Sequence, residues 1–418
     1  MMVYGRPLIR FCANRSSLAW LIVWLLLAPG CGDDGGGGGG FGGLGTIGGG
    51  EGTTASVYIT NTGSNDVSAY SINSTTGGLA AISGSPFVDV PAPSAIAVSS
   101  NGFFAYVANS RTNKVTAFRV GTNGALLLGA STPDTPNPAS VGTTPRALAI
   151  SRDSRFLYVA NSESDNVTAF SIGAAGVLTP IPPSTGNPNP ISAGGLSPVA
   201  LAISSIGRVL YVANSASNTI TTFQIESSGL LTQVPQAGPG TNPVSTSVAG
   251  PTALALSSNE QFLYVTNSAS NTVTAFRVET SGLLTLIQPV GSTPNPASTR
   301  GTTPNGIAVA PNGAHLYIAN GGGTVSAFAI RSDGLLTLAP ASGTAQNPTP
   351  PLVAGSTPTA LTISQDGQFL YVVNRGGTVS AYTIASGSGT LIPLTQLLGN
   401  PFRAGTNPSA IAISGPTL

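Results

Sequence analysis

The fifteen residues YVTNSASNTVTAFRV, Tyr264 to Val278, hold two short runs of β-branched and aromatic residues around an Asn/Ser turn. The chain returns to them throughout. They come back as YVANSRTNKVTAFRV from Tyr106, YVANSESDNVTAFSI from Tyr158 and YVANSASNTITTFQI from Tyr211. Glycine-shortened copies, YIANGGGTVSAFAI and YVVNRGGTVSAYTI, start at Tyr317 and Tyr371, and a diverged one, YITNTGSNDVSAYSI, at Tyr58. The seven tyrosines stand 48, 52, 53, 53, 53 and 54 residues apart, which marks a repeat architecture.

Working outward from this hairpin, each unit reads as four strands. A segment such as ALAIS (Ala147 to Ser151) alternates small and large residues with period two, and FLYVAN and TVTAF suit a pleated surface. GLLTLI or its equivalent makes the fourth. Four strands in some fifty residues match a propeller blade; a β-helix coil is shorter, and a helical repeat needs a 3.6 period absent here. Within ALAIS, Ala147, Ala149 and Ser151 point to one side and Leu148 and Ile150 to the other. The large face of one blade can therefore press on the small face of the next. The first unit lacks its ALAIS-type strand, whereas the chain closes on NPSAIAIS, Asn407 to Ser414, and lacks what should follow. Seven of each strand type result, so the C-terminal strand is expected to complete the N-terminal blade. The fold class is all-β: a seven-bladed propeller of four-stranded blades over residues 55–418, its ring closed by the C-terminal strand.

Composition agrees. Charged residues make up 7% of the 418, against roughly 25% in an ordinary soluble domain, while 54 glycines and 33 prolines punctuate the chain. A single lysine, Lys114, and a pI near 7.8 leave no basic surface for nucleic acid.

Residues 1–30 read as an export signal. Arg6, Arg10 and Arg15 precede the apolar run LAWLIVWLLL, Leu18 to Leu27, which at ten residues falls short of the roughly 20 needed to span a bilayer. APGC then ends at Cys31, in the manner of a bacterial lipobox, whose cysteine is lipidated and becomes the new N-terminus. Cys12 would leave with the signal, so the mature chain keeps one cysteine with no partner. Residues 31–54 form a glycine-rich tether with a root-mean-square reach of roughly 25 Å. An exported chain, lipid-anchored at Cys31 to a bacterial membrane and facing the periplasm or the cell surface, is the expectation.

The repeats resemble the YVTN-repeat β-propellers and the seven-bladed lactonase family, whose founding activity is hydrolysis of 6-phosphogluconolactone. Tyr264-Val265-Thr266-Asn267 spells the repeat signature, and the resemblance runs from about Ala55 to Ser414. Lactonase-like members often carry Pro-Arg-His entering an inner strand and Asn-Glu after the second strand of that blade. In TPRALAISRDSRFLYVANSES, Pro145-Arg146 and Asn161 are present. Ala147 stands at the histidine position and Ser162 at that of the glutamate, with Glu163 one place late.

The residues just after each strand-entry proline are Ser94, Arg146, Val199, Thr252, Asn305, Thr359 and Ser409, expected around the channel mouth. They offer one cation, several hydroxyls and an amide, but no base for lactone hydrolysis. Arg146, Asn161 and Asn305 are the candidate ligand contacts, and Arg146 and Glu163 the candidate catalytic pair. His315 reads as a solvated turn residue on the opposite face. One histidine, on the opposite face, and one mature cysteine exclude an ordinary zinc site, a haem attachment pair or a Ser/His/Asp triad built on a mouth-facing base, so no metal or cofactor is expected. The asparagine closing each second strand, Asn161 among them, recurs seven times and also reads as a turn cap. Asn-Pro pairs at Asn137, Asn189, Asn242, Asn295, Asn347 and Asn400, with Ser85-Pro86 in the first unit, mark either a binding platform or rigid spacers. The function expected is a non-catalytic envelope module binding a protein, glycan or small molecule; the alternative is a lactone hydrolase.

Overall fold

The computed structural model describes residues 55–204, 208–235, 242–339, 352–394 and 400–415. The leader, Cys31, the glycine tether and Asn347 lie outside them. The described residues form seven antiparallel sheets, and each inner strand neighbours that of the next blade around the ring. The third blade shows the pattern. Its strands run, from the axis outward, Pro145–Ile150, Phe156–Asn161, Asn166–Ile172 and Leu178–Pro180. Tyr158 pairs with Ala149 on one side and Ala169 on the other.

The ring closes as the strand count requires. Ser56–Asn61 pairs with Asp66–Ile72 of its own hairpin and with C-terminal Pro408–Ile413, bringing Val57 opposite Ile413 and Ile59 opposite Ile411. An element not anticipated is a two-residue fifth strand in six of the blades. Ile191–Ser192, for example, pairs with the start of Asn166–Ile172. The first blade has only a bridge there, Val67 with Phe87.

The core is seven wedges, one between each pair of neighbours. Ala149 packs in the wedge that holds Leu201 and Ile203 of the fourth blade, whereas Leu148 and Ile150 pack against the second. Small faces therefore meet large ones, as the alternation implies. Each buried aromatic or aliphatic side chain contributes roughly 1.5–3 kcal/mol by leaving water.

Each repeat tyrosine also reaches into the next blade. The Tyr106 hydroxyl donates to the Gly176 carbonyl at 3.0 Å, Tyr158 to Gly229 at 2.9 Å, and so on round to Tyr371, which donates to Gly77 of the first blade at 2.9 Å. The acceptor must be glycine for two reasons. Gly176 has φ of 77°, and a Cβ there would lie 2.2 Å from the Phe104 ring.

His315 corrects the expectation of a solvated turn residue. It is only 5% exposed, begins the strand His315–Asn320, and lies against Gly389 where other blades place Phe104, Phe156 or Phe369 against their glycine. HLYIAN is FLYVAN with an imidazole at the phenylalanine position and isoleucine in place of valine. Burial lowers its pKa.

Candidate functional site

A funnel of about 980 Å³ opens where the inner strands begin. Its geometry starts from proline. Lacking an N–H, proline suits the first position of a strand, and each inner strand starts with one. In all seven blades the next residue is the extra one of a β-bulge: Pro145 faces Asn161 and Ala147 faces Ala160, leaving Arg146 unpaired. Such a residue is re-aimed out of the sheet. Ser94, Arg146, Val199, Thr252, Asn305, Thr359 and Ser409 occupy this place, and all seven line the funnel.

The residue before each proline is also conformationally fixed. Thr144, Ser197, Thr303, Thr357 and Asn407 have φ between 49° and 54°, a left-handed conformation. In several junctions the preceding blade holds it. The Thr144 N–H donates to Asn113 Oδ1 at 2.9 Å, and the Ser197 N–H to Asp165 Oδ1 at 2.7 Å.

Five of the seven bulge residues form a belt. Ser94 donates to the Pro145 carbonyl (2.6 Å), Thr252 to Pro304 (2.7 Å), Asn305 Nδ2 to Pro358 (3.0 Å), Thr359 to Pro408 (3.2 Å) and Ser409 to Pro93 (2.8 Å). Arg146 and Val199 interrupt it. The Arg146 guanidinium is exposed and has neither a hydrogen bond nor an ion pair among the described residues.

Arg375 is a second cation in the funnel, absent from the positions expected at the mouth. It follows the blade asparagine, a place filled elsewhere by Thr62, Ser110, Ser162, Ser215, Ser268 and Gly321. One arginine among six small residues is the signal that marks it. It too is exposed and unpaired among the described residues. No Asp, Glu or His is among the described residues that line the funnel.

The other expected site residues are placed differently. Asn161 is fully buried inside its blade, donating to Asn166 Oδ1 at 2.8 Å and Thr168 Oγ1 at 2.9 Å, so it does not face the funnel. Glu163 is exposed on the turn beyond it and is not part of the funnel lining. Asn305 does line it, but uses one amide N–H in the belt. The asparagines of the Asn-Pro pairs turn inward. Asn189 accepts the Ala169 N–H at 2.9 Å and donates to the Ala169 and Ile181 carbonyls, both at 2.8 Å.

Residues 52–192 and 244–391 match the family model described as lactonase, 7-bladed beta-propeller. The chain belongs to the seven-bladed β-propeller lactonase family. No curated protein matches it in sequence. Among solved structures, this lactonase-family propeller is similar to a candidate 6-phosphogluconolactonase of Bacteroides fragilis, with 21% identity and a TM-score of 0.65 over 87% of this chain and 98% of that one. It is similar also to the periplasmic gluconolactonase of Pseudomonas aeruginosa, with 18% identity and a TM-score of 0.63 over 87% and 99%. A protein from Lactobacillus plantarum gives 17% and 0.67 over 87% and 99%. At these identities the likeness is one of fold.

Proposed function

We propose that this propeller binds an anionic small molecule in its funnel without hydrolysing it, as an exported lipoprotein held at the cell envelope. One observation carries the binding half. Two guanidiniums without partners among the described residues overlook a funnel whose described lining has no carboxylate and no imidazole. Unpaired arginines suit an oxyanion, which can take two parallel N–H bonds from each fork. Opening a lactone needs a base to activate water, and none stands in that lining.

Lactone hydrolysis is the second reading. It is favoured by membership of the family and by the likeness in fold to the Pseudomonas gluconolactonase. Glu163, on the same blade as Arg146, is then the carboxylate to test.

Purified full-length protein is assayed against γ- and δ-lactones, and its binding of the sugar acid gluconate is followed by calorimetry. The expected result is no turnover and saturable gluconate binding that Arg146→Ala weakens. Turnover abolished by Arg146→Ala or Glu163→Gln would replace binding with catalysis. The anchor at Cys31 is tested separately: Cys31→Ser should shift the protein from the membrane to the soluble fraction, and an unchanged distribution would refute it.

A further inference from the structure

From the chemistry of the funnel wall, and resting on the reading of the funnel as an anion site, we infer that its ligand is a polyhydroxylated chain with an acid group at each end, of the sugar-diacid class.

The first observation is the placement of the two cations. Arg146 enters from the third blade and Arg375 from the seventh, three blades apart one way round the ring and four the other. No two blades of seven stand further apart. Both guanidiniums lack internal partners among the described residues, so each retains its full set of donors for a ligand.

The second is the character of the wall between them. A hydroxyl has one proton to give, and at several of the lining positions it is already committed. Ser94, Thr252, Thr359 and Ser409 donate to the proline carbonyl of the next blade. Thr62 and Ser110 donate to the carbonyls of Pro93 and Ala92, at 2.7 and 2.9 Å. What these oxygens present to the funnel is lone pairs. The amide of Asn305 is oriented in the same sense, its Nδ2 directed at Pro358. The hydroxyls of Ser197, Ser215, Thr303 and Thr357 also line the funnel and donate to no group among the described residues. A wall offering both acceptors and donors suits hydroxyl groups, the neutral groups that can do both. A hydrocarbon chain between the two acids would leave those lone pairs without partners.

The third is size. A funnel of about 980 Å³ lies at the upper end of the range typical of organic ligands, and a single phosphate or sulfate would leave most of it to water. Cations on opposite walls, a hydroxyl-rich wall between them and this volume together describe a polar chain that spans the mouth.

The test is calorimetric titration of the purified full-length protein with four probes: galactarate, a sugar diacid; gluconate, a sugar mono-acid of the same chain length; adipate, a diacid without hydroxyls; and inorganic phosphate. Galactarate should bind at least about tenfold more tightly than any other, the scale of one charge-assisted contact. Arg146→Ala and Arg375→Ala should each reduce galactarate to the gluconate level, while Arg146→Lys keeps part of the difference. Unchanged circular dichroism and melting show that the variants are folded. Equal affinity for galactarate and gluconate, with one arginine mattering, would overturn the two-ended ligand and leave the anion site standing. Phosphate binding as tightly as galactarate would mean a single oxyanion gripped by both arginines, and would overturn it too. Equal binding of adipate would remove the hydroxyl requirement. Failure of every probe to bind would refute the inference and the anion site together.

Discussion

The phenol of Tyr158 joins the third blade to the fourth through one buried hydrogen bond, 2.9 Å to the Gly229 carbonyl. Removing a buried donor leaves its acceptor unsatisfied, at a cost of about 1–3 kcal/mol. Tyr158→Phe keeps the ring, so a loss of that size in urea denaturation, with the fold intact, is the expected outcome; no loss would mean that the bond contributes nothing. All seven repeat tyrosines share the environment. Burial raises the pKa of Tyr58 to about 12 and those of the other six further still. The unfolded chain releases phenolic protons near pH 10 while the folded chain holds them. The stabilisation is therefore complete below pH 10 and is lost as pH rises through the folded values. Each tyrosine adds a slope of about 1.4 kcal/mol per pH unit, so Tyr158→Phe should unfold less steeply with alkali. Tyrosinate absorbance should appear together with unfolding; absorbance appearing near pH 10 in the folded protein would contradict the burial. His315 shows what a single position hides. Its imidazole looks like a turn residue because histidine is polar, and only its register with the phenylalanines of FLYVAN places it in a wedge.

At the scale of the element, the four main strands of each blade are legible because period two, proline entry and Asn/Ser turns all carry physical information. The fifth strand is not, because two residues cannot show a period. Its position follows from the Asn-Pro pair just before it. The Asn189 amide acts as a detached peptide group between two strands, closing on the N–H and C=O of Ala169 and the C=O of Ile181. The same contacts recur with Asn137 on Ala117 and Gly129, and with Asn295 on Ala275 and Ile287. This favours the spacer reading of the Asn-Pro loops over the platform. Asn189→Ala removes three hydrogen bonds from a half-buried site and should cost about 2–4 kcal/mol. Hydrogen exchange should then quicken first at the Ala169 amide, and uniform exchange across the blade would show that the clamp acts elsewhere.

At the scale of the whole molecule, the ring and its closure follow from counting strands, whereas the funnel is only half legible. Arg146 is found because a proline announces its bulge, while Arg375 follows an asparagine that six other blades follow with a small residue. Nothing in one repeat tells which blade will carry a charge. Closure itself makes a sharp prediction. Pro408–Ile413 is one strand shared by two wedges, with Ala410 and Ala412 facing the second blade and Ile411 and Ile413 the seventh. A chain ending before Asn407 would leave Ser56–Asn61 with an open edge and both wedges exposed, and open edges promote aggregation. It should lose its single cooperative melting transition or become insoluble. A permutant that carries residues 407–415 ahead of Ala55 through a short turn should recover it, since the Ser414 N–H already meets the Ser56 carbonyl at 2.8 Å. An unchanged transition in the truncated chain would show that the C-terminal strand does not close the ring. Failure of the permutant to rescue would show that the order of assembly, and not the strand alone, is required.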